Sequence, residues 1–262
     1  MLRVATMMMS FAVAASVVAC GPVPRPKDAY DSAPDLLADM RALRDEIESF
    51  RITGTVDHFG EEHRVQGKTY LFARLPGRLR VDLLSPFGNT LSVLTVDRDV
   101  FALADFRENR FLEGPAEPCN IARLIRVPLP ADDVIRVLIG HSPIIEGHAE
   151  VDWDRKGFYR VTISDGARTQ KLEIDPDRSS LQLRRSRLEE GGATVFDMTF
   201  DRWRKIDGAA VPHEIRVVMP RDEADLLVRY DEGGVEVDVD LPEDAWTQSF
   251  PAGADVERVE CR

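Results

Sequence analysis

Leu79-Arg80-Val81-Asp82-Leu83-Leu84-Ser85-Pro86-Phe87-Gly88-Asn89-Thr90-Leu91 is the stretch on which the fold turns. Its first five residues alternate apolar and polar, so a period of two puts Leu79, Val81 and Leu83 on one face of a strand and Arg80 and Asp82 on the other. Turn-forming residues from Ser85 to Asn89 interrupt the pattern, and Leu91-Ser92-Val93 resumes it. Two strands joined by a short turn, with one apolar side, predict an antiparallel hairpin whose apolar face has to be covered.

The alternation extends in both directions. Residues 52–56 and 67–75 carry it upstream, with Gly60 and Pro76-Gly77 as turns, and Phe101-Ala102-Leu103 carries it downstream of a turn at 97–99. It returns at residues 159–163, 172–174, 181–183, 196–200, 213–217, 226–230 and 235–239, which makes about eleven strands in two blocks. Between the blocks, Ile121, Leu124 and Ile125, then Val134, Ile135, Leu138 and Ile139, fall at helical spacings on either side of Pro128-Leu129-Pro130. Asp132 or Asp133 suits the positive end of the second helix and Gly140 suits its stop. Ahead of both blocks, residues 34–50 place Leu36, Leu37, Met40, Leu43, Ile47 and Phe50 three and four apart, an amphipathic helix. The expected class is mainly β: a curled antiparallel sheet, or unclosed β-barrel, with the N-terminal helix and the inserted helical pair as its plug.

A sheet curled round a few helices need not be filled, and a hollow inside it would be apolar. The candidate walls are Leu79, Val81, Leu83, Leu91, Val93, Phe101, Leu103, Phe196, Met198 and Phe200 on strands, with Ile121, Leu124, Val134 and Leu138 on the covering helices. Each is also an ordinary core position, and composition does not separate a hollow interior from a filled one.

The N-terminus has a different character. A short basic start at Arg3 precedes an apolar run from Val4 to Val18, too short to span a bilayer comfortably, and Val17-Val18-Ala19-Cys20 closes it. These residues resemble the lipobox of bacterial lipoprotein precursors. The resemblance implies that residues 1–19 are a removable signal peptide and that Cys20 becomes a diacylglyceryl cysteine, N-acylated with a chain such as palmitate, which holds the protein on a membrane. At roughly 0.8 kcal/mol per buried methylene, several chains make such attachment nearly permanent. Gly21, where Asp would favour inner-membrane retention in enterobacterial lipoproteins, points to the periplasmic face of the outer membrane. Residues 20–34, with four prolines between 21 and 34, read as anchor and extended tether, and residues 35–262 as one domain.

The chain of 262 residues carries 34 basic and 46 acidic side chains, a net charge of -12, which argues against nucleic acid and against docking on anionic lipid through a basic face. Beyond Cys20 there are two cysteines, Cys119 and Cys261, and in an oxidising compartment a disulfide between them is expected, two unrelated thiols being the alternative. Enzymatic signatures are missing: there is no Gly-x-Ser-x-Gly elbow, phosphate-binding glycine loop or dinucleotide fingerprint. The five histidines, His58, His63, His141, His148 and His213, lack the spacing of a zinc hydrolase. His58 and His63 bracket Gly60-Glu61-Glu62 and are better explained by an exposed hairpin than by a metal. No catalytic residue, metal or cofactor is assigned.

The order of elements, with Arg51-Ile52-Thr53-Gly54-Thr55-Val56, the turn Pro76-Gly77-Arg78, the stretch Leu79 to Leu91, Phe111-Leu112-Glu113-Gly114 and the helical residues 129–140, resembles the lipoprotein-localisation superfamily of the LolA and LolB type, especially LolB-like outer-membrane lipoproteins. The resemblance covers most of residues 35–250, and only Leu79 to Leu91 is at all specific. It implies an unclosed barrel plugged by helices, a cavity that takes acyl chains of lipoproteins or other lipids, and a periplasmic carrier protein as a partner. LolB-like members also expose an apolar residue on a loop between early strands. Pro86-Phe87-Gly88 falls in that place, with Phe87 as the matching membrane-insertion residue, and a Phe folded back on the sheet is the other reading. Two functions follow: an acyl-binding lipoprotein that receives or inserts lipoproteins, or a structural lipoprotein that binds an envelope partner, for which the acidic residues 231–244 would offer a surface.

Overall fold

The computed structural model describes residues 21–59, 64–249 and 253–261. The expected signal peptide at 1–19, Cys20, the expected turn at Gly60 and His63 lie outside the described residues. Helix α1, Ala33–Asp45, opens with the Ser32 hydroxyl accepting the Asp35 N–H at 3.3 Å, and its acidic first turn and basic Arg44 in the last turn suit the helix dipole. The helix stops short of the expected Phe50. Residues from Ser49 onward are claimed by backbone pairing on two sides, a stronger pull than helical spacing.

Six strands follow: β1 Ser49–Phe59, β2 Arg64–Arg74, β3 Arg78–Leu84, β4 Thr90–Asp97, β5 Val100–Asp105 and β6 Arg110–Pro115. Helices α2, Pro118–Ile125, and α3, Ala131–Leu138, interrupt. The chain continues through β7 His148–Asp154, β8 Phe158–Ser164, β9 Arg168–Ile174, β10 Leu183–Glu190, β11 Ala193–Asp201, β12 Arg204–Ile206, β13 Ala209–Val211, β14 Glu214–Met219, β15 Ala224–Val237 and β16 Asp255–Arg258. Fourteen of these form one sheet in the order β16-β6-β5-β4-β3-β2-β1-β15-β14-β11-β10-β9-β8-β7, with β12 and β13 paired apart. The end strands β16 and β7 do not meet, so the curled sheet is unclosed.

Among the described residues sixteen strands replace the expected eleven or so. The segments 226–230 and 235–239 are one strand, β15, bulged where Ile52 pairs with Val235 and Gly54 with Tyr230, so Asp231-Glu232-Gly233-Gly234 is the bulge and not a turn between strands. The weakly patterned β6 and the short β12 and β13 were not expected as strands. Nor were β7 and β16, the two edges of the sheet, where one-sided burial erases alternation; β16 is exposed at every residue. The expected strand at 181–183 begins only at Leu183, because Leu181 is left-handed at φ 38°.

The inner face of the sheet and one side of each helix form a single apolar core that includes Leu36, Phe50, Leu79, Phe101, Ile121, Val161, Met198 and Phe200. Gly77 N–H donates to Asp132 at 2.6 Å and Tyr230 Oη donates to the Leu138 carbonyl at 2.7 Å, fixing α3 at both ends to the sheet. The expected free tether is shorter than its prolines suggest. Val23 N–H donates to the Arg155 carbonyl at 2.9 Å, Trp153 Nε1 donates to the Val23 carbonyl at 3.0 Å, and Tyr30 is buried against Tyr159 with Arg178 over its ring at 4.0 Å. Aromatic burial and a cation–π contact outweigh the extended bias of the prolines.

Cys119 at the start of α2 and Cys261 form the disulfide, with Cα atoms 5.9 Å apart and 142 residues between them in sequence. It fastens the tail beside β16, which pairs in parallel with β6. In the chain-entropy account a loop of that length contributes about 4 to 5 kcal/mol, less strain. Replacing both cysteines by serine should lower the urea midpoint and expose residues 255–258 to limited proteolysis; an unchanged midpoint would mean that strand pairing alone holds the tail.

Candidate functional site

Five adjacent strands, β3-β2-β1-β15-β14, present one face to α2 and α3, and an apolar cavity of about 90 Å³ lies between them. Pairing sets its wall: Leu71 opposes Val81, Thr69 opposes Leu83, Val56 opposes Val228, and Val217 opposes Leu226. Because cross-strand partners point to the same side, each pair contributes two side chains to the lining. The opposite wall is Leu124 and Ile125 of α2, Val127 and Leu129 of the proline link, and Val134, Val137 and Leu138 of α3. Helical spacing aims these at the sheet.

Among the residues expected to line a hollow, Val81, Leu83, Leu124, Val134 and Leu138 do so. Leu79, Phe101, Leu103, Ile121, Phe196, Met198 and Phe200 are buried in the core beyond it. Val93 faces the other way: Leu94 pairs with Val81 and Val96 with Leu79, so those two share the inner face and Val93, opposite Asp82, takes the outer one, while Leu91 falls at the register shift between Ser92 and Thr90 without a cross-strand partner on β3. That outer face is itself covered near Trp246, and Gln248 Nε2 donates to the Val93 carbonyl at 3.0 Å, so β4 is apolar on both sides and its parity cannot be read from hydrophobicity. Val56, Leu71, Ile215, Val217, Leu226 and Val228 were missed as lining residues although all of them lie in segments read as strands by alternation; what was lacking was the pairing of β1 with β15.

Phe87 is 92% exposed at the tip of the β3–β4 turn. The turn is ordered: Ser85 N–H donates to the Asn89 carbonyl at 2.8 Å, Gly88 N–H to the Ser85 carbonyl at 2.9 Å, and Asn89 N–H to Ser85 Oγ at 3.1 Å. Gly88 at φ 85° supplies the conformation an L side chain resists. The folded-back alternative is therefore excluded, and Pro86, Phe87 and Gly88 all stand in solvent. Strand directions alternate from β3 to β7, which puts the Phe87 turn on one rim of the sheet and the β7–β8 turn that holds Val23 on the opposite rim. Leu83, in the cavity wall, lies two residues before the turn begins, so the Phe87 rim is the rim nearer the cavity.

Polar chemistry lies elsewhere. Arg44 is buried at the end of α1, donates to the Leu181 carbonyl at 3.3 Å and stacks 5.0 Å from the Trp203 ring; burial lowers its pKa to about 10. Gly140, at φ 92°, fits beneath the Trp203 ring, where a Cβ would collide. Next to it, burial and then the charge of Arg44 push His141 from 6.5 down to about 3. His58 and His213 are also lowered, chiefly by burial, and the described histidines do not gather. The one described group with metal-ligand composition, Glu117, Cys119 and Cys261, has both thiols consumed by the disulfide.

No family model matches the chain. It is 24% identical to the outer-membrane lipoprotein LolB of Serratia proteamaculans over 177 residues, 66% of this chain and 82% of that one. Against LolB of Hamiltonella defensa identity is 27% over 97 residues, 37% of this chain and less than half, 44%, of the relative. The solved LolA superfamily protein of Nitrosomonas europaea superposes with a TM-score of 0.51 at 12% identity, covering 83% of this chain and 98% of that one. The chain is thus similar in sequence to LolB lipoproteins and in fold to a LolA superfamily protein.

His141 gives this fold a pH dependence of known sign. Its folded pKa, about 3, lies below the unfolded 6.5, so the unfolded chain takes up the proton first and stability falls as pH drops from about 6.5 toward 3. In His141→Gln the difference in urea midpoint between pH 7 and pH 5 should shrink; an identical difference would assign the acid sensitivity to other groups.

Proposed function

We propose that this protein is a non-catalytic outer-membrane lipoprotein, anchored through Cys20 on the periplasmic face, that binds acyl chains of lipoproteins in the cavity between α2, α3 and the sheet and takes part in lipoprotein reception or insertion. The observation that carries this reading is the cavity: fifteen of its sixteen lining residues are apolar, and it lies nearer the rim that bears exposed Phe87. An acyl chain asks for apolar walls and no charge. The likeness to LolB over two thirds of the chain supports it.

The cavity is narrow for such cargo. An engineered apolar cavity of about 150 Å³ takes a single benzene ring, and this one measures about 90 Å³. Uptake of a chain therefore requires the α2–α3 cover to lift from the sheet. A scaffold that binds a partner through the acidic residues 231–244 has less support, because Glu232, Glu236 and Glu243 pair with Arg204, Arg51, and Arg74 and Arg78 of the same chain.

Native mass spectrometry of residues 21–262 with a synthetic acylated lipopeptide tests the reading. A one-to-one adduct is expected, and it should vanish in Val217→Glu, whose charge would stand in the cavity wall; a folded wild-type protein that forms no adduct would sink the proposal. Phe87→Glu should keep the adduct and slow transfer of the lipopeptide to liposomes at least several-fold. Equal transfer rates would remove Phe87 from the mechanism.

A further inference from the structure

Thr69 is the single polar side chain among the described residues of the cavity wall. It is 1% exposed, and its Oγ1 has no hydrogen-bond partner. An unpaired buried hydroxyl costs about 1–3 kcal/mol, whereas valine would fill the same volume in a strand at no such cost. The neighbours on its own face offer no remedy: the cross-strand partner on β1 is Gly54, the preceding residue on that face of β2 is Gly67, and Leu83 opposes it on β3. A hydroxyl of this kind is built to be satisfied by what enters the cavity.

We propose that Thr69 donates a hydrogen bond to an ester carbonyl of the bound lipid, so that the cavity selects neutral acyl esters. This deepens the acyl-binding reading and rests on it. A plain hydrocarbon leaves the hydroxyl unpaired. A free fatty acid would bring a carboxylate among residues that include no cation, a costly transfer. An amide-linked chain carries an N–H that needs an acceptor of its own, and the rest of the wall is apolar. An ester carbonyl accepts one hydrogen bond, brings no charge and adds no donor.

The test is a binding cycle, with dissociation constants from native mass spectrometry titrations of a lipopeptide bearing ester-linked chains and of its ether-linked analogue of equal length. Wild-type protein should favour the ester by about tenfold, the value of one net hydrogen bond of this kind. Thr69→Val should lose that preference while binding the ether analogue as before, and Thr69→Ser should retain it. The melting temperature of Thr69→Val should equal or exceed that of the wild type; a clear drop would mean that the hydroxyl serves the fold and would overturn the assignment. Equal ester affinity in wild type and Thr69→Val overturns it as well, leaving the cavity reading intact. Binding of neither lipid by wild type would fell both together.

Discussion

Burial of one continuous apolar face is the interaction on which the other features of this molecule depend. A fourteen-stranded sheet, antiparallel except where β16 joins β6, with an apolar inner side cannot leave that side in water, and because its end strands do not meet, curling alone does not seal it. The three helices supply the rest of the cover. Their placement explains why α2 and α3 are inserted between the two halves of the sheet in sequence: from there they reach its middle, where β1 and β15 join the N-terminal and C-terminal blocks. Where the cover meets the sheet imperfectly, the cavity remains.

The two edges of the sheet are handled differently. On one side β16 adds in parallel to β6 and is secured by the disulfide, and its exposed Glu257 and Arg258 pair with Arg110 and Glu113. Charges on an edge strand discourage pairing with other chains. On the other side, Val23 is held at the turn that ends β7, its N–H donating to the Arg155 carbonyl and its carbonyl accepting from Trp153 Nε1.

Much of this was legible in the sequence where one physical signal dominated. Alternation in residues 79–83, 159–163 and 196–200 marks strands with one buried face, and the spacing of Val134, Ile135 and Leu138 marks α3. Legibility fails where two faces are covered or neither is. β4 hides its parity because both sides are buried, and β16 shows no pattern because neither side is. The cavity was legible only in part, since a wall assembled from β1, β15 and β14 depends on a pairing between residues about 180 apart, which no local pattern encodes. Thr69 carries no local signal at all; an isolated threonine in a strand is ordinary until its surroundings are known.

The docked N-terminal segment sets a condition on how an anchored molecule could work. Cys20 precedes Val23 by three residues, so about 10 Å of chain separates a lipid there from the rim that holds Val23. Phe87 lies on the other rim, and an eleven-residue strand such as β1 or β2 spans about 36 Å. With Val23 and Tyr30 in place, a lipid on Cys20 would sit nearer the rim opposite Phe87, the rim farther from the cavity. Freed back to the start of α1, residues 20–32 extend to about 40 Å, enough to cover the length of a strand. For a lipidated molecule to touch its own membrane with Phe87, the contacts of this segment would have to open: two hydrogen bonds at Val23, the Tyr30 N–H to Tyr159 Oη at 3.2 Å, Tyr30 Oη to Asp39 at 2.6 Å, and Arg178, which lies over the Tyr30 ring and pairs with Asp28 at 3.2 Å.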